Sequence, residues 1–323
     1  MISFRSQIIE LIEQGAIPME RVGDALVVAK VTPESKGWWT FFDSLLLWLG
    51  GLALAFAGIF FIAYNWDELG RFAKFGMVEG FMVLAIVFYC KFAKHSLVSR
   101  VLLLIATISL GVLLALFGQT YQTGADSWQL FFNWALLMLP WALIGSFPAI
   151  WIVWVALMNI SIVLYHQTFR GAFWVLWSSD TGMWWLTFFF NTFVLIIWEF
   201  LAKNWRWLSE RWAIRLLALG VGVPITGLVL HAIFSRITVN TLAGPVWVVW
   251  LALMYVRYRK ISPDLFMLAG CCLSVITVMV SFLSEKMLKD GEAGSFLFLA
   301  IVVIGLGTGA ALWLKNVQEE WRV

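Results

Sequence analysis

The sequence predicts an all-α, polytopic integral membrane protein of about ten transmembrane helices, with a short N-terminal cytoplasmic helical hairpin ahead of them. Three observations carry that reading. Hydrophobic runs occupy 43–64, 72–90, 100–118, 128–145, 147–165, 183–202, 213–234, 243–256, 264–284 and 295–314, and all but one are 18 to 22 residues long. That length crosses a ~30 Å hydrocarbon core at 1.5 Å per residue. With 62% hydrophobic and 13% charged residues, the chain has too little polar surface for a water-soluble body, so lipid must solvate most of it. Finally, Lys and Arg alternate between connections. Counting from the N-terminal segment, even connections hold 16 of them and odd connections only Arg71, Lys74, Arg170, Arg236, Lys286 and Lys289. Positive residues stay on the cytoplasmic side, so both termini are expected inside and the odd loops outside.

Residues 1–42 form the hairpin. Phe4, Ile8, Leu11 and Ile12 follow the spacing of one helical face, and Val22, Leu26 and Ala29 that of a second. Gly15 ends the first helix in a left-handed turn, Pro18 opens the next, and Thr32-Pro33 closes it. Arg5, Glu10 and Glu13 exclude a secretory apolar region, so no cleavable signal is expected. Two short helices bury too little to stand alone and must dock on the membrane body or a partner. Residues 43–314 are the transmembrane domain and 315–323 a cytoplasmic tail. The run 243–256 is the weakest span: it is short and followed at once by Arg257, Arg259 and Lys260, and without it every later segment inverts.

The 21 Trp concentrate where an aromatic belt places them, including Trp38, Trp39, Trp66, Trp128, Trp184, Trp185, Trp205, Trp207 and Trp212. An indole prefers headgroup level, where its ring is apolar and its N–H finds a partner. Trp134, Trp141, Trp151, Trp154 and Trp250 lie deeper, where packing and a pocket wall are equally open readings. Cys90, Cys271 and Cys272 fall inside spans and read as small packing residues. Gly305, Gly307 and Gly309 read as close helix packing, since no strand precedes them to make a nucleotide loop.

Glu79 is the sharpest polar feature. It lies about seven residues from the outer end of its span, roughly 10 Å deep, where a carboxylate costs at least ~2.5 kcal/mol unless it faces the protein, meets water or is protonated. Asn133, Asn159, Asn191 and His231 sit at similar depths on four other spans, so five helices present a polar layer that forms an outward-facing pocket if their rotations agree. Isolated interhelical contacts are the simpler reading for the asparagines, and a solvated helix end the simpler one for His231. Asn65, Asp67, Gln119, Tyr121, Gln122 and Asp126 in the outer loops suit contact with a sugar, headgroup or peptide better than a metal, beside ordinary turn and cap roles. Glu199 has Lys203 one turn away as its nearest partner in sequence.

The inventory argues against most enzymes. There is no His-Glu-x-x-His, Gly-x-Ser-x-Gly or phosphate loop, and the three histidines are scattered. Dispersed basic residues give no nucleic-acid groove. No metal or other cofactor is expected. Three functions remain open: a transporter-like or envelope-assembly component using the outward pocket, a scaffold for a periplasmic protein, and an intramembrane transferase on a lipid-linked substrate with Glu79 and His231 as its acid–base pair.

One resemblance is specific. Ala63-Tyr64-Asn65-Trp66-Asp67, then Phe117-Gly118-Gln119-Thr120-Tyr121-Gln122, then Trp134-Ala135-Leu136 with Pro140, together with the opening Gly15-Ala16-Ile17-Pro18, resemble the bacterial membrane-protein family known as domain of unknown function 2157. The resemblance covers about residues 5–145. It implies a multi-pass bacterial inner-membrane protein without an assigned reaction, and an envelope partner, a periplasmic protein with a Gly-Asp-Tyr motif. It supplies no catalytic residues.

Overall fold

The structure, a computed structural model, describes residues 11–12, 15–28, 35–64, 70–92, 97–122, 124–169, 181–235, 242–287 and 293–321. Among these every regular element is helical. A short helix α1 (Val22–Val28) precedes ten long ones: α2 (Ser35–Tyr64), α3 (Arg71–Lys91), α4 (Leu97–Tyr121), α5 (Ser127–Gly145), α6 (Pro148–Thr168), α7 (Gly182–Leu201), α8 (Arg211–Phe234), α9 (Ala243–Val256), α10 (Leu265–Met287) and α11 (Ala293–Glu320). Nine of the described helices are long and apolar enough to cross a membrane. The protein is therefore an all-α, multi-pass membrane protein, and α9 is the helix that length alone does not qualify.

The chain divides into two compact units, Met1–Leu116 and Phe117–Trp321. In the first, Gly15 adopts φ +69°, and the amides of Gly15 and Ala16 donate to the carbonyls of Ile12 and Leu11. That is the left-handed helix end expected of a glycine there. Pro18 then accepts from Arg21 N–H at the start of the next turn. The readings that rest on Phe4, Ile8, Ala29, Thr32 and Pro33 lie outside the described residues. Val78 on α3 packs with Leu116 on α4, flanked by Phe75 and Val112, while the backbone of α2 at Gly51 abuts the Val101 side chain of α4.

The second unit holds the larger core, built from α6 to α11 around Leu217, Val221, Ile225 and Leu228 of α8, with Tyr258, Leu268 and Val317. Helices α5 and α6 form a tight antiparallel pair across two residues: Ser146 in the left-handed region closes α5, and Pro148 opens α6 at its first turn, where its missing N–H costs nothing.

Side-chain pairings fix the direction of α9. Arg215 of α8 meets Asp264, just before α10, and eleven residues later Thr226 meets Ser274 of α10. Thus α8 and α10 run parallel, and the chain must return between them. Trp250 lies against Gly222 and Trp247 reaches Ser274, so α9 descends antiparallel to α8. Its 14 residues cover about 21 Å, and a π-helical turn, Arg257–Ile261, completes the return. The helix is short, as its sequence indicates, yet it traverses the bundle.

Candidate functional site: a cavity among α7, α8, α9 and α10

Helix α8 carries Gly220, Gly222, Thr226 and Gly227 within two turns, and large side chains of its neighbours press on the gaps these leave. Beside Gly227 stands the Trp184 ring of α7, which a Cβ there would meet at 3.1 Å; beside Gly222 stands the Trp250 ring of α9, at 3.4 Å. The two indoles become walls of a cavity of about 400 Å³ that Met254, Met267, Gly270 and Cys271 also line. Leu219, Val223, Phe266 and Leu273 belong to the same lining yet are exposed, so the mouth opens sideways between α8 and α10 onto the apolar outer face. In a bilayer that face meets lipid.

The lining is apolar apart from the hydroxyls of Thr226, Ser274 and Thr277 and the Cys271 thiol. Thr226 Oγ1 and Ser274 Oγ lie 2.6 Å apart, and Trp247 donates its indole N–H to Ser274 Oγ at 2.9 Å. Hydroxyls can turn to donate or accept, so the trio can meet a small polar group. It carries no charge, and among the described residues no group of three His, Cys, Asp or Glu is placed to hold a metal. The cavity therefore suits an apolar molecule with one hydrogen-bonding end.

Two ionic clusters sit at the opposite end of α8 from this trio's side. Arg215 forks onto Asp264 through Nε and Nη2, both at 3.2 Å, and Asp264 also accepts from Phe266 N–H at 3.0 Å. Glu199 at the end of α7 accepts from Arg257 Nε at 2.7 Å and from the Tyr258 hydroxyl. These two contacts, and not one with Lys203, engage the Glu199 carboxylate, because the π turn brings Arg257 and Tyr258 inward while Lys203 remains exposed. Burial, then the hydrogen bond and charge of Glu199, push the Tyr258 phenol well above its usual range.

Of the polar layer, Asn159 and Asn191 meet. Asn191 Nδ2 donates to Asn159 Oδ1 at 2.6 Å, Asn159 Nδ2 returns a bond at 3.1 Å, and each amide also donates to a carbonyl of its own helix. Gly220 makes the space: a Cβ there would stand 3.0 Å from Asn191 Oδ1. This saturated amide pair ties α6, α7 and α8 together. Gly220→Val is expected to lower stability by about 1–3 kcal/mol, read by thermal unfolding in detergent, with Asn191→Ala relieving part of the loss; additive effects would refute the coupling. Asn133 and His231 are exposed in the same unit, and Glu79 is exposed on α3 in the first. Asn65 and Asp67 lie outside the described residues. Gln119, Tyr121 and Gln122 are exposed at the end of α4, Gln122 with φ 45°. Asp126 begins α5 and accepts from Trp128 Nε1 at 3.3 Å.

Residues 10–151 match the family described as predicted membrane protein (DUF2157). The match overlaps the stretch whose motifs resemble that family, from the glycine turn at Gly15 through Gln119-Thr120-Tyr121-Gln122 to Pro140. No curated protein and no solved structure matches the chain. The cavity is formed by Trp184 of α7 and by α8 to α10, all beyond the DUF2157 match.

Trp184, which has the position of a belt anchor, also lines the cavity. One sequence reading is corrected here. Gly305, Gly307 and Gly309 of α11 are exposed, and a Cβ on any of them would meet nothing within 4 Å, so no helix among the described residues packs closely there. The cavity itself had one cue in the sequence: three glycines and a threonine within eight residues of an apolar span, Gly220 to Gly227, which mark close approach by large neighbours.

Proposed function

We propose that this protein is a transporter-like, non-catalytic membrane component that takes an apolar, membrane-resident molecule from the bilayer through the gap between α8 and α10. The observation that supports this most is a tryptophan-walled cavity whose mouth faces lipid and whose polar lining is confined to neutral hydroxyls and a thiol, with Thr226 and Ser274 paired. That chemistry favours a long-chain alcohol or a similar single-headed lipid over an ion or sugar. The polar layer contributes less to this reading than the sequence suggests, because its one close pair saturates itself. The 16-to-6 charge bias supports cytoplasmic termini in a bacterial inner membrane. The exposed Gln119, Tyr121 and Gln122 then lie outside, where we place contact with a periplasmic partner of the Gly-Asp-Tyr type.

Gly270→Leu tests the cavity directly. Nothing lies within 4 Å of a Cβ at Gly270, so leucine can enter the open space, and replacing a mid-helix glycine favours folding by up to ~1 kcal/mol. Dodecanol should raise the unfolding temperature of the wild-type chain in nanodiscs and leave that of Gly270→Leu unchanged. Ser274→Ala should abolish the advantage of dodecanol over dodecane. Equal dodecanol stabilisation of wild type and Gly270→Leu would sink the reading.

A further inference from the structure

The hydroxyls that line the α8 cavity share one depth in the bilayer. Between Asp264 and Glu285 the chain runs for twenty uncharged residues, about 30 Å of helix and so one full hydrocarbon core. Ser274 stands ten residues from the first carboxylate and eleven from the second, about 15 Å from either edge. Thr226 is held beside it at 2.6 Å, so the pair lies at mid-membrane, where lipid offers no hydrogen-bond partner. Two hydroxyl protons there are uncommitted. Trp247 donates to Ser274 Oγ, and whichever hydroxyl donates within the Thr226–Ser274 pair, the proton of the other is left over. Thr277 lines the same cavity one turn farther along α10, and its hydroxyl has no hydrogen-bond partner among the described residues. By contrast Thr107, Thr168, Thr187 and Thr192 each donate to the carbonyl one turn back on their own helix.

Carrying a hydroxyl to the bilayer centre without a partner is costly. That cost is the barrier to exchange between leaflets, and a head with two hydroxyls meets it twice. A hydroxyl cluster at mid-depth, reached through a mouth that faces lipid, supplies the missing partners where they are needed. Ser274 and Thr277 are three residues apart, about 4.5 Å along the axis of α10, close enough for both to meet neighbouring hydroxyls of one small head. We propose that the protein moves a neutral lipid with a two-hydroxyl head, of the monoacylglycerol class, from one leaflet to the other. The head halts at Thr226, Ser274 and Thr277 while its chain lies in the gap between α8 and α10. Hydrogen bonds to water are exchanged for hydrogen bonds to these side chains, no covalent bond changes, and the head leaves toward either leaflet. This rests on the cavity taking up a single-headed lipid, as proposed above, and adds the chemistry of the head and the route.

Oxidation of the vicinal diol reads the route. In phosphatidylcholine vesicles containing 1-monooleoylglycerol, external periodate, a membrane-impermeant anion, cleaves the outer-leaflet diol at once and the inner-leaflet diol only as it crosses. The full chain should speed that slow phase over protein-free vesicles by about 5-fold for each hydrogen bond made to the head. Thr277→Val should give up about 5-fold of the gain, and Gly270→Leu, which fills the cavity, should return the rate to that of protein-free vesicles. Thermal unfolding of Thr277→Val should match wild type, because the hydroxyl it removes bonds nothing in the protein, whereas a structural threonine would be missed. Stabilisation by dodecanol, measured on the same samples, separates this inference from the reading it rests on. Wild type that dodecanol stabilises, yet whose slow phase equals that of protein-free vesicles, keeps the cavity and overturns the transfer. A slow phase equally fast with Gly270→Leu and wild type traces the crossing to a disturbed bilayer and overturns the proposal, and a Thr277→Val rate equal to wild type overturns the assignment of the head. Loss of both signals in wild type removes the cavity reading as well.

Discussion

Asp264→Ala is expected to destabilise the protein by about 3 kcal/mol, the lower end of what breaking a buried ion pair costs. The Asp264 side chain is only 2% exposed and makes three charge-assisted contacts at once. Two bind the Arg215 fork and one satisfies a free amide in the first turn of α10. The lower end applies because Arg215 is 41% exposed, so water recovers part of its solvation once the carboxylate is gone. The reverse change is different in kind: Arg215→Ala strands a buried carboxylate whose described partner is then the Phe266 amide alone. Asp264→Asn keeps the oxygen for that amide and should lose roughly half as much as Asp264→Ala. Equilibrium unfolding in mixed micelles reads all three. A loss below ~1 kcal/mol for Asp264→Ala would show that the pair is not buried and would remove one of the two anchors that set α8 parallel to α10.

The helices themselves are legible in the sequence because hydrocarbon thickness imposes a length on them, and each of the ten apolar runs appears as a helix. Their ends are less legible. Helix α2 begins at Ser35 and α11 continues to Glu320, because a drop in hydropathy marks the edge of the lipid while backbone hydrogen bonding continues into water. In α11, Lys315 and Glu319 pair one turn apart beyond that edge. Depth along a span is likewise readable, which is how Asn159 and Asn191 can be matched before their contact is seen. Rotation about each helix axis is not. Asn133 and His231 share the depth and point outward, since the weakly amphipathic spans of a membrane bundle carry little record of which face meets protein. Thr226 and Ser274 escape notice for a related reason: one hydroxyl in an apolar helix usually bonds its own backbone, as Thr187 and Thr192 do here, and nothing in the sequence separates those from the pair that faces a cavity.

Glu199→Ala should cost about as much as Asp264→Ala, ~3 kcal/mol, and for a reason that no local reading of the sequence supplies. The partners lie 58 and 59 residues away in the π turn. Removing the carboxylate leaves the guanidinium of Arg257, already 28% exposed, to find water. It also leaves the hydroxyl of Tyr258, a residue 1% exposed, with neither water nor another acceptor. Tyr258→Phe removes that hydroxyl together with its need for a partner and should cost only ~1–2 kcal/mol. The double variant should then be closer to Glu199→Ala than the sum of the two.

The same cluster fixes a pH dependence. Burial first, and Glu199 second, raise the Tyr258 pKa in the folded chain above the ~10 of an unfolded tyrosine. A raised folded pKa means that the native state holds its proton more tightly, so this contribution to stability is complete below about pH 10 and declines above it as only the unfolded state ionises. Wild type and Tyr258→Phe should therefore give the same tyrosinate absorbance until the protein unfolds, although one has six tyrosines and the other one fewer. Wild type should also lose stability more steeply in the alkaline range. A smaller tyrosinate signal from Tyr258→Phe before unfolding would mean that the phenol ionises in place and that the junction of α9 with α7 is open to water. The end of α9 rests on that junction being closed: just beyond the traverse, Glu199 holds Arg257 and Tyr258 against the end of α7.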